Sequence, residues 1–332
     1  MQINPDTIYK DYLNGHIDKI SLVNQLTSII ENHDDNIVRE DSIIALGKLK
    51  LVDENLFDLF ENLLLSDSSE FIRNAAAIYL SEHHLNRSIA VFKWAIQHEN
   101  SYQCLLTLVK ALVKINSKAS KKILIEQIKK IRKTQYLNQE TGYENKKYKE
   151  NLKPLIKRNR IVTYTSEQLG NILINFFTIR QLIEELPNVY FELNSTTLLI
   201  EKLDLSDYLE FEVKGTPWGW KNNIESISKI KGLKNLSSLQ DLNLSNNQIR
   251  DLKDLVEIES LIYLDLSNNK LSDRQNIEYI KQIPSLEFID LRGNEIAKMI
   301  NISEFNPKIR ILKENSFYDL EKRLEKSFKE AK

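Results

Sequence analysis

Three segments of this chain superimpose residue for residue. They are Leu239-Gln-Asp-Leu242-Asn-Leu244-Ser-Asn-Asn247-Gln-Ile249, Leu261-Ile-Tyr-Leu264-Asp-Leu266-Ser-Asn-Asn269-Lys-Leu271 and Leu286-Glu-Phe-Ile289-Asp-Leu291-Arg-Gly-Asn294-Glu-Ile296. The asparagines fall 22 and then 25 residues apart, and self-similarity at such a period signals a solenoid of stacked units rather than a closed globule. Leu242 and Leu244 alternate with Asp241, Asn243 and Ser245. That alternation predicts a short strand with leucines turned inward and polar residues outward. Asn247 follows where the chain leaves the strand, and a buried amide there can satisfy backbone groups that the turn leaves unpaired.

The rest of the composition sets bounds. With 332 residues and 42% hydrophobic side chains there is room for two domains with a core each. Lys+Arg 46 against Asp+Glu 47 leaves a net charge of -1, so no global field draws the chain to nucleic acid or to a membrane. No apolar run approaches the roughly 20 residues that span a bilayer. One cysteine, Cys104, excludes an internal disulfide framework, and the start Met1-Gln-Ile-Asn-Pro-Asp lacks the basic and apolar regions of a secretory signal. The expectation is a cytoplasmic, monomeric protein. Eight glycines and six prolines favour long regular elements over loops.

From Ile17 to about Arg132 every segment has helical periodicity, as in Ile17, Ile20, Val23, Leu26 and Ile30, with Asp18 placed in a first turn. The helices come in pairs. Asp35-Asn-Ile-Val38-Arg39 aligns with Ser69-Glu-Phe-Ile72-Arg73 at an offset of 34, and a weaker copy, Glu99-Asn-Ser-Tyr102-Gln103, follows 30 residues later. The pattern resembles the HEAT repeat, whose second helix opens with a polar residue, then Val-Arg, then small and aliphatic residues. The resemblance implies that Arg39 and Arg73 bridge to acidic residues of neighbouring repeats, and Ala75, Ala76 and Ala77 suit close helix approach. An irregular helical bundle is the bland alternative.

The expected organisation is residues 1–133 as HEAT-like helical repeats, 134–165 as a basic linker, and 166–332 as the strand-repeat domain. Its parts are a cap helix over 166–187, repeats over about 198–312 and a closing helix over 316–331. In the linker Lys146, Lys147, Lys149, Lys153, Lys157, Arg158 and Arg160 mingle with Tyr143, Tyr148 and Tyr164. Such a cluster can hold RNA by phosphate contacts and stacking, but more often is a solvated connector or exposed helix. Thr165-Ser-Glu-Gln168 reads as a capping box, and Pro187 as the stop of that helix. Ile200-Glu-Lys-Leu203-Asp-Leu205-Ser206 restarts the strand pattern, yet the turn asparagine is delayed to Asn222 by an insertion carrying Tyr208, Phe211, Trp218 and Trp220. The two tryptophans either fill the open end of the core or anchor a partner.

The repeat from Leu236 to Leu255 resembles the 22-residue class of leucine-rich repeats typified by a regulatory subunit of protein phosphatase 1. The resemblance covers roughly residues 196–312. It implies a concave strand face that binds proteins, with nothing catalysed. Joined to the helical half, the whole resembles uncharacterised archaeal chains that combine HEAT-like and leucine-rich repeats. Two departures stand out: the insertion at 206–221, and Arg292-Gly293 in place of Ser-Asn.

Enzyme signatures are missing. The sequence has no Gly-x-x-x-x-Gly-Lys-Ser/Thr, Gly-x-Gly-x-x-Gly, His-Glu-x-x-His or Gly-x-Ser-x-Gly. Iron-holding HEAT proteins such as deoxyhypusine hydroxylase carry His-Glu after the Val-Arg, where this chain has Glu40-Asp41, Asn74-Ala75 and Cys104-Leu105. His83, His84 and His98-Glu99 can be drawn as a metal set, but they fall at helix ends, where histidine commonly meets the last carbonyls. A likeness to HEAT-type bilin lyases rests on Cys104 alone, and such a cysteine is usually a small core residue.

The reading is therefore a non-catalytic protein-binding scaffold, an α-solenoid followed by an α/β leucine-rich horseshoe, with no cofactor and no metal. Partners are expected on the strand face and in the groove of the helical half. A regulatory subunit of a GTPase or phosphatase, or a HEAT-type metalloenzyme, stays open as the alternative. Alternation lays the outward strand positions in three columns: Lys202, Asp241, Tyr263, Phe288; Asp204, Asn243, Asp265, Asp290; and Ser206, Ser245, Ser267, Arg292. Tyr263 and Phe288 are expected as an exposed aromatic pair beside Asp241, Asp265 and Asp290, with Arg292, Trp218 and Trp220 as further contacts.

Overall fold

The computed structural model describes residues 4–133, 142–157, 160–207 and 222–313. Contacts divide the chain into two compact units, Met1–Thr134 with Pro154–Phe177, and Gln135–Lys153 with Thr178–Lys332.

The first unit is helical: α1 (Pro5–Leu13), α2 (Lys19–Asn32), α3 (Asn36–Lys48), α4 (Glu54–Ser66), α5 (Glu70–His83), α6 (Ile89–His98), α7 (Tyr102–Ile115) and α8 (Lys118–Lys133). Aspartates start three of them, because a side-chain oxygen at the cap satisfies an N–H that the first turn leaves free. Asp18 accepts from Ser21 N at 2.7 Å, so it stands before α2 rather than in its first turn. Asp35 accepts from Ile37 N at 2.8 Å and Asp53 from Asn55 N at 2.9 Å. Helix α1 lies ahead of the expected start at Ile17, and its signal is Asn4-Pro5, where the Asn4 oxygen accepts from Asp6 N at 2.9 Å.

The helices pair as α2 with α3, α4 with α5 and α6 with α7, while α3, α5 and α7 lie side by side in one layer and α4, α6 and α8 in another. Phe60 stacks on Tyr79 with ring centroids 3.8 Å apart at the centre of the α4–α5 pair. Ala75, Ala76 and Ala77 are buried in α5. The arginines bridge forward as expected: Arg39 reaches Asp67, and Arg73 grips Glu99 through Nε at 2.8 Å and Nη2 at 2.9 Å.

Of residues 134–165, the structure describes 142–157 and 160–165. They contain α9 (Gly142–Lys157) and a 3-10 turn (Arg160–Thr163), and the contact division passes through them. The side chains of Lys146, Lys147 and Lys149 lie outside the described ones. Helix α10 (Ser166–Glu185) follows, and its capping box is reciprocal: Gln168 N donates to Thr165 Oγ1 at 3.1 Å, and Thr165 N to Gln168 Oε1 at 2.8 Å. The division between units falls within α10.

The second unit carries one sheet in chain order: β1 (Tyr190–Leu193), β2 (Ile200–Asp204), β3 (Asp241–Asn243), β4 (Tyr263–Asp265), β5 (Phe288–Asp290) and β6 (Arg310–Leu312). β1 runs antiparallel to β2 and the remaining pairs are parallel. Between strands the chain returns through 3-10 turns at Lys253–Glu257 and Glu295–Met299 and through α11 (Gln275–Lys281). The core lies between strands and return segments. Leu242, Leu244, Leu264, Leu266, Ile289 and Leu291 are all 0% exposed.

A column of asparagines joins the turns. Asn247 Nδ2 donates to Leu205 O at 3.0 Å and Leu244 O at 3.1 Å, while its Oδ1 accepts from Ile224 N at 2.9 Å. Asn269 repeats this with Leu244 O, Leu266 O and Ile249 N. Asn294 does so with Leu266 O, Leu291 O and Leu271 N. Asn222 begins the series with Leu205 O and both backbone groups of Asn188. Asn276, which no repeat pattern flagged, fastens the return side by accepting from Leu252 N at 2.9 Å and donating to Arg250 O at 3.0 Å.

The residue before each of the last three ladder asparagines is left-handed: Asn246 at φ 59°, Asn268 at 56° and Gly293 at 73°. Asparagine and glycine are the residues that tolerate this region. Gly293 therefore continues the pattern where the sequence departs from Ser-Asn. A methyl group on it would lie 2.2 Å from Asn268 Oδ1 and 3.1 Å from its Cα. Gly293→Ala is expected to cost about 1–3 kcal/mol through strain and this clash, read as a fall in urea midpoint at constant slope. A midpoint unchanged within error contradicts it.

Candidate functional site

Register between strands decides which side chains meet. The first outward column is Lys202, Asp241, Tyr263, Phe288 and, one strand beyond the expectation, Arg310. Parallel neighbours sit about 4.8 Å apart, and the rings of Tyr263 and Phe288 meet with centroids 6.2 Å apart, tilted by 42°. Tyr263 keeps 38% of its surface exposed, and Phe288 is half-buried. Toward β1 the column turns charged: Lys202 Nζ lies 3.9 Å from Asp241 Oδ2 and 3.8 Å from Glu192 Oε2. Burial raises the Asp241 pKa, and nearby Asp204, Glu192 and Asp265 add to the rise against the pull of Lys202. A cation arriving at this place is favoured by all four carboxylates.

The second column has a job within the chain. Asp204, Asn243, Asp265 and Asp290 each accept from the N–H two residues on, at 2.8, 3.0, 2.9 and 3.1 Å. These are repeated Asx turns that take the chain off each strand. Asp265 also accepts from Ser267 Oγ at 2.7 Å. Asp290, expected at the rim of an interface, is 0% exposed. Arg292, expected to face a partner, folds back on it with Nε at 2.9 Å and Nη2 at 2.6 Å. A buried charge demands an opposite one, and Arg292 supplies it. Both residues are therefore occupied with each other.

The third column departs from expectation as well. Ser206, Ser245 and Ser267 are buried rather than outward, because the strands end before them and Asn246 and Asn268 turn the chain left-handed. Period-two alternation holds only while the backbone stays extended. Trp218 and Trp220, with the rest of the insertion from 208 to 221, lie outside the described residues, as does the expected helix over 316–331.

In the helical unit the other candidates separate. His83, half-buried, and His84, buried, close α5 against aromatic rings, with His83 4.5 Å from Tyr79 and His84 5.4 Å from Phe57 between centroids. Burial lowers both pKa values, which disfavours the charged form of each ring. His98 stacks on Trp94 at 4.1 Å, and its Nδ1 lies 2.8 Å from Trp94 O. Among the described residues no group of three or more His, Cys, Asp or Glu is placed to hold a metal ion. Cys104 is fully buried, and burial together with neighbouring Glu99 pushes its thiol far above the usual range. A thiol so held is a poor nucleophile. No helix among the described residues is long and apolar enough to cross a membrane.

The Asx-turn column is what reading by alternation missed. Its signal was present as Asp-Leu-Ser, Asn-Leu-Ser, Asp-Leu-Ser and Asp-Leu-Arg at each strand exit, since Asp and Asn two residues ahead of a turn commonly cap it. No protein-family model matches the chain, and no curated protein matches it.

Proposed function

We propose that the chain is a non-catalytic protein-binding scaffold, a HEAT-like helical solenoid joined to a leucine-rich repeat domain, with its partner seated on the outward strand face. The observation that carries this reading is Tyr263. It is 38% exposed, in contact with Phe288 and next in register to the half-buried Asp241. Solvent alone does not call for an aromatic there, since the equivalent places hold Lys202 and Asp241. An aromatic with carboxylates beside it suits a partly basic protein surface, where ring burial supplies affinity and charge guides approach. A regulatory subunit for a GTPase or phosphatase is one form such a scaffold takes.

Tyr263→Ala with Phe288→Ala is expected to cost about 2 kcal/mol or more of partner binding, roughly 30-fold in affinity, with the fold kept. Isothermal titration with the partner taken from native lysate by affinity capture measures it. Unchanged affinity in the folded double variant refutes the site. Asp241→Asn is the charge test, because Asp241 caps no turn, whereas a change at Asp265 also breaks an Asx turn. It should chiefly slow association and flatten its salt dependence. An unaltered association rate removes the carboxylates from the account.

A further inference from the structure

The helical unit leaves large apolar side chains in water at matching places. Aligning α3 with α5 by their caps Asp35 and Ser69 pairs Ile37 with Phe71 and Ile44 with Ile78. Their exposures are 69%, 59%, 50% and 40%. Within each helix the two residues are seven apart, two turns, and so point the same way. The helices run parallel: Arg39, near the start of α3, reaches Asp67 just before α5. At the other end a methyl group on Gly47 would stand 3.8 Å from His83 Nε2. Packed helices lie about 8–10 Å apart, so the four side chains make one two-by-two apolar face. The same places on α7, aligned by its cap Ser101, hold Gln103 and Lys110, so the apolar row ends there.

Charge on this face is mainly acidic, with Lys48 at one end of the row. Glu40 and Asp41 on α3 and Glu82 on α5 border the row, and burial together with Asp41 raises the Glu40 pKa. The cation on that side of α3, Lys48, is drawn off, 5.2 Å from the centroid of the Tyr9 ring and 4.0 Å from Asp6. Lys110 and Lys114 stand beyond the row on α7.

We propose that this face docks an amphipathic helix of a protein partner, with its apolar side on Ile37, Ile44, Phe71 and Ile78 and its lysines or arginines over Glu40, Asp41 and Glu82. Two turns of apolar contact at i and i+7 match the stripe of such a helix. A second copy of this chain is disfavoured, because a two-fold contact would set the acidic border against itself. This surface belongs to the helical unit and the strand face to the other, and neither reading depends on the other.

The probe is a fluorescein-labelled 18-residue amphipathic peptide of leucine and lysine, with a leucine–glutamate peptide of the same pattern as control, titrated by anisotropy against the full chain. The leucine–lysine peptide is expected to bind. Phe71→Ser with Ile37→Ser should weaken it at least about 10-fold, and Asp41→Lys with Glu82→Lys should weaken it and flatten its salt dependence. All four changed residues are exposed, and a thermal melt confirms that each variant folds. No binding, equal binding by the variants, or equal binding of the glutamate peptide overturns the proposal. So does self-association of the wild type in sedimentation that Phe71→Ser abolishes, which would make a second copy the occupant.

Discussion

Replacing Asn269 with leucine is expected to lower stability by on the order of 2–4 kcal/mol, although the two side chains branch alike, with the same number of heavy atoms. Asn269 is 4% exposed and serves three buried backbone groups, accepting from Ile249 N at 2.9 Å and donating to Leu244 O at 2.9 Å and Leu266 O at 3.0 Å. Ile249 N is left without a partner, at about 1–3 kcal/mol, while Leu244 O keeps Asn247 and Leu266 O keeps Asn294 as donors and each loses one of two hydrogen bonds, at about 0.5–1.5 kcal/mol. Urea unfolding followed by circular dichroism reads the loss, and faster exchange of the Ile249 amide locates it. The neighbouring change Asn268→Gly is the control. Asn268 is left-handed and exposed, so glycine there should be close to neutral. Equal stability of Asn269→Leu and wild type would remove the ladder as the device that holds the turns.

Loss of Arg73 should be comparably severe in the helical unit. Glu99 has only 4% of its side chain exposed and accepts from Arg73 through both oxygens, while Asn100 N and Ser101 N donate to it at 2.8 Å each. Burial alone would raise its pKa, but Arg73 and these N–H groups outweigh burial and hold the carboxyl at about 2, below the usual 4.5. Arg73→Met leaves that charge buried with its principal partner gone, at a cost of about 3–5 kcal/mol. In a Glu99→Gln background the same change should cost less than half as much, because no charge is stranded. The sign with pH follows from the lowered value. Glu99 contributes its full stabilisation above about pH 4.5 and loses it as pH falls toward 2. Wild type should therefore weaken with acid over that window, and Glu99→Gln should weaken less. Parallel acid profiles for the two proteins contradict the assignment.

The legible parts of the fold were those in which one residue type does one job at a fixed spacing. Ladder asparagines, inward leucines, the Thr165–Gln168 capping box and the bridging arginines each follow from local chemistry, and each stands where spacing put it. Column positions on the strand face were legible for the same reason, since register in a parallel stack follows from the repeat. Misreadings came where a residue type can serve two masters. Asp290 read as a surface carboxylate, because an aspartate that caps a turn and one that faces a partner look alike in sequence. Ser245 and Ser267 read as outward because alternation was extended past the strand end, and the left-handed turn after them depends on Asn246 and Asn268. The matched exposure of Ile37, Ile44, Phe71 and Ile78 escaped notice because exposure is set by which face of α3 and α5 the neighbouring helices cover, and periodicity alone leaves that open.

A photo-crosslinking residue placed at position 263, with the same residue at Asp254 on the 3-10 return turn as control, tests the strand-face claim most directly. Asp254 is exposed on the segment across the core from the strands. In native lysate the chain labelled at 263 should form a specific crosslinked band that is suppressed by Asp241→Asn, and the chain labelled at 254 should not. Crosslinking of the same partner from 254 at equal yield, or none from 263 while capture persists, would contradict the strand face as the binding surface.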